Sequence, residues 1–538
     1  MSKKTKKINI IIDLILLALF LGGSTYFVIE TIQGELIPLK YIQIAVAVLF
    51  GVFLILLLSF LFNHIVIYIL RKLMLVLLCA VLIVGAVFQG QIRSAFEQVD
   101  DATENIRRMY VLVLKDSTYE DLDDLSSYSY LNALNENDEY ANKLITHTIS
   151  DLMEYKLKGV SIESMDEGLV NLDTNKTDAL LITDIQHEIY ADGDVETNEY
   201  LKKYRILHEV QMTIEADQNV VDKDLTKPFV VYISGMDDLG KPNYNGRSDV
   251  NMLAFVDPVN NHVELISVNR DTYVLNKNVR DLPDKLTHLG WYGAEASALA
   301  LERSFGIEVD YTVRITFESL IKIIDSIGGI DVDVKISFTE QNEYRSFNSK
   351  DVIKLEKGYQ HLNGSQALAY ARHRKSKNWG VEGREQAQRD IVEACVKKIL
   401  SVEGALKVGD MLEVAASYVS TNLPISSAKS FVMNAIEEGR MWTFGSSTVD
   451  SGYEYRLPCA MMGSTDVYAV LLTKKDIQRV FDMYTTMKNQ KTFDEFNFDL
   501  EHLDQYQETL NLENKIITKE NYYSVIKKYY PSYLRTIY

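Results

Sequence analysis

Three long apolar stretches in the first ninety residues constrain this chain more than any other feature. They run from about Ile8 to Ile29, from Tyr41 to Phe62 and from Leu73 to Phe88. A bilayer core requires about 20 apolar residues per helix, and uncharged runs of this length are rare in soluble cores. A signal peptide is the alternative for the first stretch, but two more stretches follow it. We therefore expect residues 1–92 to form a membrane anchor with three transmembrane helices.

Basic residues near the ends of the stretches predict how the anchor is oriented. Four lysines precede the first stretch, and Arg71 and Lys72 lie between the second and the third. The loop between the first two stretches carries only Lys40 against two acidic residues. Because Lys and Arg accumulate on the cytoplasmic side, the N-terminus should be cytoplasmic and the chain after about residue 91 should be extracellular, at the cell membrane.

The net charge of −19 is unevenly distributed. Residues 1–92 hold seven Lys/Arg and three Asp/Glu, a sum of +4, which leaves −23 for the rest of the chain. An exterior this acidic argues against nucleic acid as a partner. Three cysteines are too few for a disulfide scaffold.

Alternating helix and strand patterns predict an α/β fold outside the anchor. Residues 93–225 read as a small extracellular α/β accessory domain without a cluster of catalytic residue types. Residues 226–402 alternate apolar strands with amphipathic helices, which indicates a three-layer α/β/α catalytic domain. Residues 403–538 carry weaker patterns and are interpreted as a C-terminal extension that ends in a Tyr-rich tail.

Charged side chains in the catalytic domain gather where apolar strands end, which is where open α/β sheets place their sites. Asp237 follows the first strand, Asp249 precedes the second and Arg270 follows the third. Carboxylates suit a hard cation, Mg²⁺ or Mn²⁺, and arginines match phosphate oxygens. The pattern predicts a metal-assisted pyrophosphate site in which Asp237 and Asp249 hold the metal. The further candidates for phosphate binding and catalysis are Arg247, Lys285, Arg372, Arg374, Arg384 and Gln388.

Each of these residues alone could be an ordinary surface charge, and His288 and His373 are interpreted as structural rather than as ligands. Their ordered co-occurrence within about 150 residues is what indicates a site. A P-loop, an HExxH motif and a Gly-x-Ser-x-Gly motif are all missing from the sequence. A nucleotide-fuelled or serine-nucleophile reaction is therefore unsupported.

The same residues resemble the LytR-CpsA-Psr (LCP) family of bacterial cell-envelope proteins over roughly residues 226–402. The three stretches and the additional domain resemble its CpsA-like capsule-locus branch. The segments that carry the resemblance are Ile233–Asp237, Gly246–Asp249, Ser267–Val274, Asp284–His288, Phe317–Val334, His361–Arg374 and Gly383–Gln388.

The resemblance implies a phosphotransferase that moves a capsular or teichoic-acid-like glycopolymer from a polyprenyl-pyrophosphate carrier to peptidoglycan. Other capsule-assembly proteins are further candidate partners. It also implies Mg²⁺ at Asp237 and Asp249, one of which would act as base. It assigns catalysis to Asp249, Asp237, Arg270 and Gln388. It assigns pyrophosphate binding to Arg247, Arg270, Arg372, Arg374, Arg384 and Lys285.

The resemblance further implies a long apolar pocket for the lipid, for which we consider the helices at Ala296–Phe305, Phe317–Ile327 and Ile391–Leu400. One departure from the family pattern is Ala387, which stands where an arginine is usual. Arg389 is a candidate to compensate for it.

Two alternatives remain open from sequence. One is a membrane-anchored regulator or scaffold of capsule synthesis without turnover, and the other is a polyprenyl-pyrophosphate hydrolase. The glycan, the acceptor hydroxyl and the oligomeric state are not predicted.

Overall fold

A computed structural model describes most of residues 3–491 and, beyond them, only Ile517 and Ser524. The segments outside the description are 34–38, 62–64, 98–103, 132–138, 163–164, 192–197, 216–222, 241, 243–245, 280, 345–350, 450–453 and 463–465, with scattered positions from 402 to 416. Most of the predicted Tyr-rich tail therefore lies outside the described residues.

The N-terminal region is a set of three helices, α1 (Lys3–Gln33), α2 (Leu39–Leu58) and α3 (Ile65–Glu97). Within the described residues, two stretches are long and apolar enough to span a membrane, at Ile12–Ile29 and Ile42–Leu61. Two of the three predicted spans therefore meet this requirement. The third predicted span lies within α3, whose first two turns include two adjacent basic residues.

A buried ion pair joins the first and third of these helices. Nη2 of Arg71 lies 2.6 Å from Oδ2 of Asp13, and the two side chains are 6% and 0% exposed. Nη1 of Arg71 also donates to the carbonyl oxygen of Ser59 at 3.2 Å. A buried arginine is therefore matched by a carboxylate from another helix, which offsets part of its desolvation cost.

The accessory domain is a five-stranded sheet with the order β3-β2-β4-β1-β5. Strands β3, β2 and β4 run parallel, whereas β1 pairs antiparallel with β4 and β5. The strands are β1 (Glu104–Leu114), β2 (Ser127–Leu131), β3 (Lys158–Ile162), β4 (Ala179–Thr183) and β5 (Tyr204–Glu215); the helices are α4 (Glu139–Met153), α5 (Met165–Asp173), α6 (Asp184–Tyr190) and α7 (Glu199–Lys203).

The sequence pattern of Asn198–Gln211 predicts a helix, but only Glu199–Lys203 is helical, so this prediction is wrong beyond the first turn. The Asn198 side chain accepts from the backbone N–H groups of Tyr200 and Leu201, which begins α7. The chain then enters β5, which pairs with β1 along the full length of that strand. Tertiary strand pairing has overridden the local helix preference.

The larger domain contains the remaining elements. Its strands are β6 (Phe229–Gly235), β7 (Val250–Asp257), β8 (His262–Ser267), β9 (Tyr273–Asn276), β10 (Leu282–Lys285), β11 (Tyr311–Ile315), β12 (Ile330–Val334), β13 (Phe338–Glu340), β14 (Ile353–Leu355), β15 (Gly358–Leu362), β16 (Ser420–Thr421), β17 (Thr443–Thr448), β18 (Glu454–Pro458) and β19 (Asp466–Val470). Its helices are α8 (Leu286–Leu289), α9 (Ala294–Phe305), α10 (Phe317–Ser326), α11 (Gly364–Arg372), α12 (Gly380–Ile399), α13 (Ile425–Glu438) and α14 (Lys474–Lys488).

Six of these strands form the main sheet in the order β16-β11-β6-β7-β8-β17. One face packs against α9 and α14, where Tyr232 shares a core with Phe305 and Val480. The other face packs against α12 and α13, where Met252 shares a core with Val392. Helices on both faces produce the predicted three-layer α/β/α arrangement.

Segments beyond residue 402 complete this sheet. Strand β16 pairs antiparallel with β11 at one edge, and β17 pairs parallel with β8 at the other. Helix α14 contributes to the core of the first face. The region interpreted from sequence as an extension thus supplies both edge strands. These strands occupy hydrogen-bonding positions of β11 and β8 that would otherwise be open to another chain.

Candidate active site

Three strand ends meet at one edge of the main sheet, meaning the side formed by the ends of its strands and not an edge strand. Strand β7 is antiparallel to β6 and β8, so the end of β6, the start of β7 and the end of β8 lie together. Strand β11 runs parallel to β6 and ends at the same edge. This topology brings Asp237, Asp249 and Arg270 to one place, as the sequence pattern predicts.

A cavity of about 340 Å³ opens at this edge, between the sheet and helices α10, α11 and α12. Its volume lies within the range of small-molecule sites. The predicted site residues on its wall are Asp237, Asp249, Arg270, Arg372, Arg374, Arg384 and Gln388.

Asp249 and Arg270 are held as a pair. Nη1 of Arg270 lies 2.6 Å from Oδ1 of Asp249, and both side chains are partly buried. The Asp249 backbone N–H donates to the carbonyl oxygen of Gly235 at 2.8 Å, and Thr287 N–H donates to the carbonyl oxygen of Arg270 at 2.8 Å. Backbone bonds from two neighbouring segments therefore fix this carboxylate and this guanidinium relative to each other.

Two predicted phosphate ligands are not part of the cavity wall among the described residues: Arg247 and Lys285. Lys285 is instead ion-paired with Asp271. Oδ2 of Asp271 lies 3.8 Å from Nε of Arg270, so Lys285 shares a charge network with the wall without contributing to it.

A buried arginine that the sequence analysis missed supports the loop before Asp249. Arg314 is 3% exposed and donates to the carbonyl oxygens of Gly246 and Gly290, the latter at 2.8 Å. A Cβ atom at Gly290 would lie 2.5 Å from the Gly246 carbonyl oxygen, so only glycine fits there. An arginine within the apolar strand β11 is the sequence signal that could have revealed this support.

Helix α11 positions the next two arginines. Asn363 caps its start in a reciprocal capping box with Gln366. Arg372 ends the helix, with its guanidinium 4.9 Å from the ring centroid of Phe317 and Nη1 donating to the carbonyl oxygen of Asn342 at 3.3 Å. The Arg374 side chain is exposed at the cavity mouth.

Helix α12 places Arg384 and Gln388 on one face, as their spacing predicts. Nε2 of Gln388 donates to the carbonyl oxygen of Ala371 at 3.2 Å, which ties α12 to the end of α11. Burial lowers the pKa of Arg384, and repulsion from Arg270 and Arg374 lowers it further. Its buried Nε has no hydrogen-bond acceptor among the described residues. This cluster of mutually repelling cations, of which Arg384 and Arg270 are partly buried, is suited to an anion.

Arg389 does not compensate for Ala387. Its Nη1 donates to Oγ of Ser267 at 2.7 Å and its Nη2 to Oε1 of Gln386 at 2.8 Å. In the described part of the chain, Arg389 is 5% exposed and is not on the cavity wall. Ala387 is fully buried, so this position supplies no cation to the cavity.

Much of the cavity wall is apolar. Its aliphatic lining consists of Ile233, Val250, Met252, Ile315, Leu320, Leu368, Ile391 and Val392. Two of the three helices considered for lipid binding therefore contribute. The third, α9, packs on the opposite face of the sheet, so that part of the prediction is wrong.

Sequence analysis also missed Glu340 and Gln341, which lie on the cavity wall. Strand β13 buries Phe338 and Glu340 on one face and exposes Thr339 between them. The sequence signal for Glu340 is its position two residues after Phe338, which places both side chains on the same face of a strand.

The donor set is compatible with a magnesium ion. Among the described residues, no group of three or more Asp, Glu, His or Cys side chains is suited to a metal. Mg²⁺ often uses only one or two protein carboxylates together with substrate phosphates and water. Asp237 and Asp249 supply two carboxylates on the wall beside the arginine cluster, which fits that mode.

Comparison with known proteins extends these observations. A sequence model of the LytR_cpsA_psr family matches residues 191–452. A polyisoprenyl-teichoic acid–peptidoglycan teichoic acid transferase, TagU of Bacillus anthracis, is 30% identical over 242 residues, covering 44% of this chain and 75% of TagU. Its counterpart TagV of Bacillus subtilis is 31% identical over 204 residues, covering 37% of this chain and 51% of TagV.

Among solved structures, the crystal structure of B. subtilis TagV is similar, with a TM-score of 0.42 and 26% identity. The match covers 50% of this chain and 99% of that one. The family match spans the main sheet and the cavity, and the TagU match covers three quarters of that protein. This chain belongs to the LytR_cpsA_psr family.

Proposed function

We propose that this protein transfers a glycopolymer from a polyprenyl-pyrophosphate carrier to peptidoglycan at the outer face of the membrane. The proposal is carried by Arg384 on the cavity wall, whose buried Nε has no acceptor among the described residues and whose cation is repelled by those of Arg270 and Arg374. Such a group is stabilised when an anion with several oxygens binds. The apolar residues on the same cavity wall suit the lipid chain of the same carrier.

The proposed reaction breaks one phosphoanhydride bond. The acceptor hydroxyl oxygen attacks the phosphorus attached to the glycan, the bond to the bridging oxygen breaks, and polyprenyl phosphate leaves. The hydroxyl proton passes to a carboxylate, Asp237 or Asp249. Arg270, Arg372 and Arg384 stabilise charge that develops on the phosphate oxygens.

We further propose that Asp237 and Asp249 hold Mg²⁺ or Mn²⁺ beside the pyrophosphate. A divalent cation there would neutralise charge on the phosphate oxygens. If so, EDTA should abolish transfer by the wild-type protein, and either cation should restore it. Unchanged transfer in EDTA would contradict this assignment.

The anchor is proposed to cross the membrane three times, with the N-terminus cytoplasmic. Helix α3 is long enough, and its Arg71 is matched by Asp13. An odd number of crossings would place the cavity outside, where peptidoglycan lies. Capsular and teichoic-acid-like polymers are both candidate glycans, and the TagU relative is named for teichoic acid.

The test uses full-length protein, lipid-linked glycan and peptidoglycan fragments. Wild-type protein should form a peptidoglycan–glycan product, and Asp249→Ala should form none. Asp333→Ala, which removes an exposed carboxylate on β12, is the matched control and should remain active. Full activity of Asp249→Ala would refute the proposal. Release of glycan without attachment would indicate a hydrolase, and binding of lipid-linked glycan without any product would indicate a regulator.

A further inference from the structure

His373 lies between two arginines of the cavity wall, Arg372 and Arg374, yet its own side chain is 3% exposed. All four of its polar atoms have partners. Its backbone N–H donates to the carbonyl oxygen of Ala369 at 3.2 Å, and its backbone carbonyl accepts from Nε1 of Trp379 at 2.9 Å. In the ring, Nδ1 lies 2.9 Å from Oε2 of Glu340, and Nε2 lies 2.7 Å from Oγ of Ser376.

These contacts connect several segments that line or adjoin the cavity. Glu340 belongs to β13 and lies on the cavity wall. The His373 ring stacks on Phe338 of the same strand, with centroids 4.3 Å apart. Ser376 belongs to the loop between α11 and α12. One buried side chain therefore joins the strand, the helix end and the loop.

The bond from Trp379 extends this connection to α12. The Trp379 indole packs against Gly383, where a Cβ atom would lie 2.2 Å from the ring. Gly383 directly precedes Arg384, the partly buried arginine whose Nε has no acceptor in the described part of the structure. A displacement of the His373 carbonyl would therefore be transmitted to the turn that carries Arg384.

A histidine that served only to fill space would not need this arrangement. Phe338 and Tyr370 already provide an aromatic stack at this place, and an apolar side chain could continue it. Burying two ring nitrogens requires a hydrogen-bond partner for each of them. Fully satisfied buried hydrogen bonds of this kind fix the orientation of neighbouring groups.

We propose that His373 is a positioning residue, which holds Arg372 and Arg374 in register with Arg384 so that the three guanidinium groups converge on one pyrophosphate. This inference rests on the proposed function. It assigns His373 no contact with substrate and no proton transfer.

The test measures binding of farnesyl pyrophosphate, a short polyprenyl pyrophosphate, to the full-length protein. His373→Phe keeps the stack on Phe338 but loses both ring hydrogen bonds. We expect its dissociation constant to rise about tenfold, the effect of about 1.4 kcal/mol of lost interaction. Binding of farnesol, which lacks the phosphates, should be unchanged. His373→Asn keeps a donor near Nδ1 for Glu340 and should recover part of the affinity.

His187→Asn is the matched control, because His187 is a partly buried histidine of the accessory domain bonded to the Tyr200 hydroxyl at 2.8 Å. It should lower the melting temperature without changing the dissociation constant. Equal affinities of wild type and His373→Phe would overturn the inference while leaving the proposed function intact. Failure of the wild-type protein to bind farnesyl pyrophosphate would overturn the proposed function and this inference with it.

Discussion

Two arginines on the same helix should respond in opposite ways to substitution. Arg384 faces the cavity, and its Nε has no acceptor among the described residues. Arg389, five residues on, also has no acceptor for its Nε among the described residues, but it donates through Nη1 to Ser267 and through Nη2 to Gln386. Methionine at either position keeps the aliphatic stem and removes the charge. Comparing the two variants distinguishes an arginine that serves ligand binding from an arginine that stabilises the fold.

For Arg384→Met we expect binding to weaken and stability to be maintained. A hydrogen bond to a charged group contributes about 1.5–3 kcal/mol, so affinity for farnesyl pyrophosphate should fall roughly 10- to 100-fold. Without ligand, removal of this charge relieves burial of the cation and its repulsion by Arg270 and Arg374. The free energy of unfolding should therefore stay within about 1 kcal/mol of the wild type or rise.

For Arg389→Met we expect the reverse. A buried acceptor, Ser267, and a partly buried one, Gln386, lose their donor. This should lower the free energy of unfolding by about 1–3 kcal/mol, while the dissociation constant stays unchanged. Isothermal titration with farnesyl pyrophosphate and thermal unfolding of the detergent-solubilised chain measure both quantities. If Arg384→Met is as destabilised as Arg389→Met, or if it binds the lipid as the wild type does, Arg384 does not serve ligand binding in the way proposed.

Three further changes test other parts of the structure. Asp13→Ala should reduce the yield of membrane-inserted protein, because Arg71 then lacks its carboxylate partner. The double exchange of Asp13→Arg with Arg71→Asp should restore the yield. Failure of the exchange would show that the ion pair is incidental. Burial raises the pKa of Asp390, so folding favours its protonated form and stability should decline as pH rises through the raised value. Asp390→Asn should thus raise the melting temperature by about 2–4 °C at pH 7, with no gain near about pH 4; an equal shift at both pH values would contradict this sign. Gly383→Ala places a Cβ against the indole of Trp379 and should cost about 1–3 kcal/mol in an unfolding assay; wild-type stability would show that the ring moves aside freely.

Local patterns predicted most of the catalytic sheet. Central strands of the main sheet are rich in buried apolar residues, as in β6 (Phe229–Gly235), and local sequence patterns predict such strands. The edge strand β16 was not predicted, because two residues carry no periodic signal. Strand β5 was read as a helix, because its pairing with β1 depends on residues about a hundred positions away.

The site was predictable where strand ends determine it. Topology alone brings Asp237 and Asp249 together: β6 and β7 are antiparallel, Asp237 comes just after β6 and Asp249 just before β7. The failures concern residues whose positions depend on packing across the domain. Lys285 has the right charge and lies near Arg270, but Asp271 engages it away from the cavity wall. Glu340 was missed because β13 carries no residue of the recognised motifs.

The uneven distribution of charge acquires a physical role once the cavity is known. The chain after residue 92 sums to −23, yet the arginines converge on one cavity. An acidic exterior disfavours polyanions at the general surface, so an anionic polymer would approach productively only where the arginines are exposed. Arg374, the more exposed of the two, would meet such a ligand before the partly buried Arg384 does. The charge balance that argues against nucleic acid therefore also favours a single point of entry for a phosphate-bearing lipid.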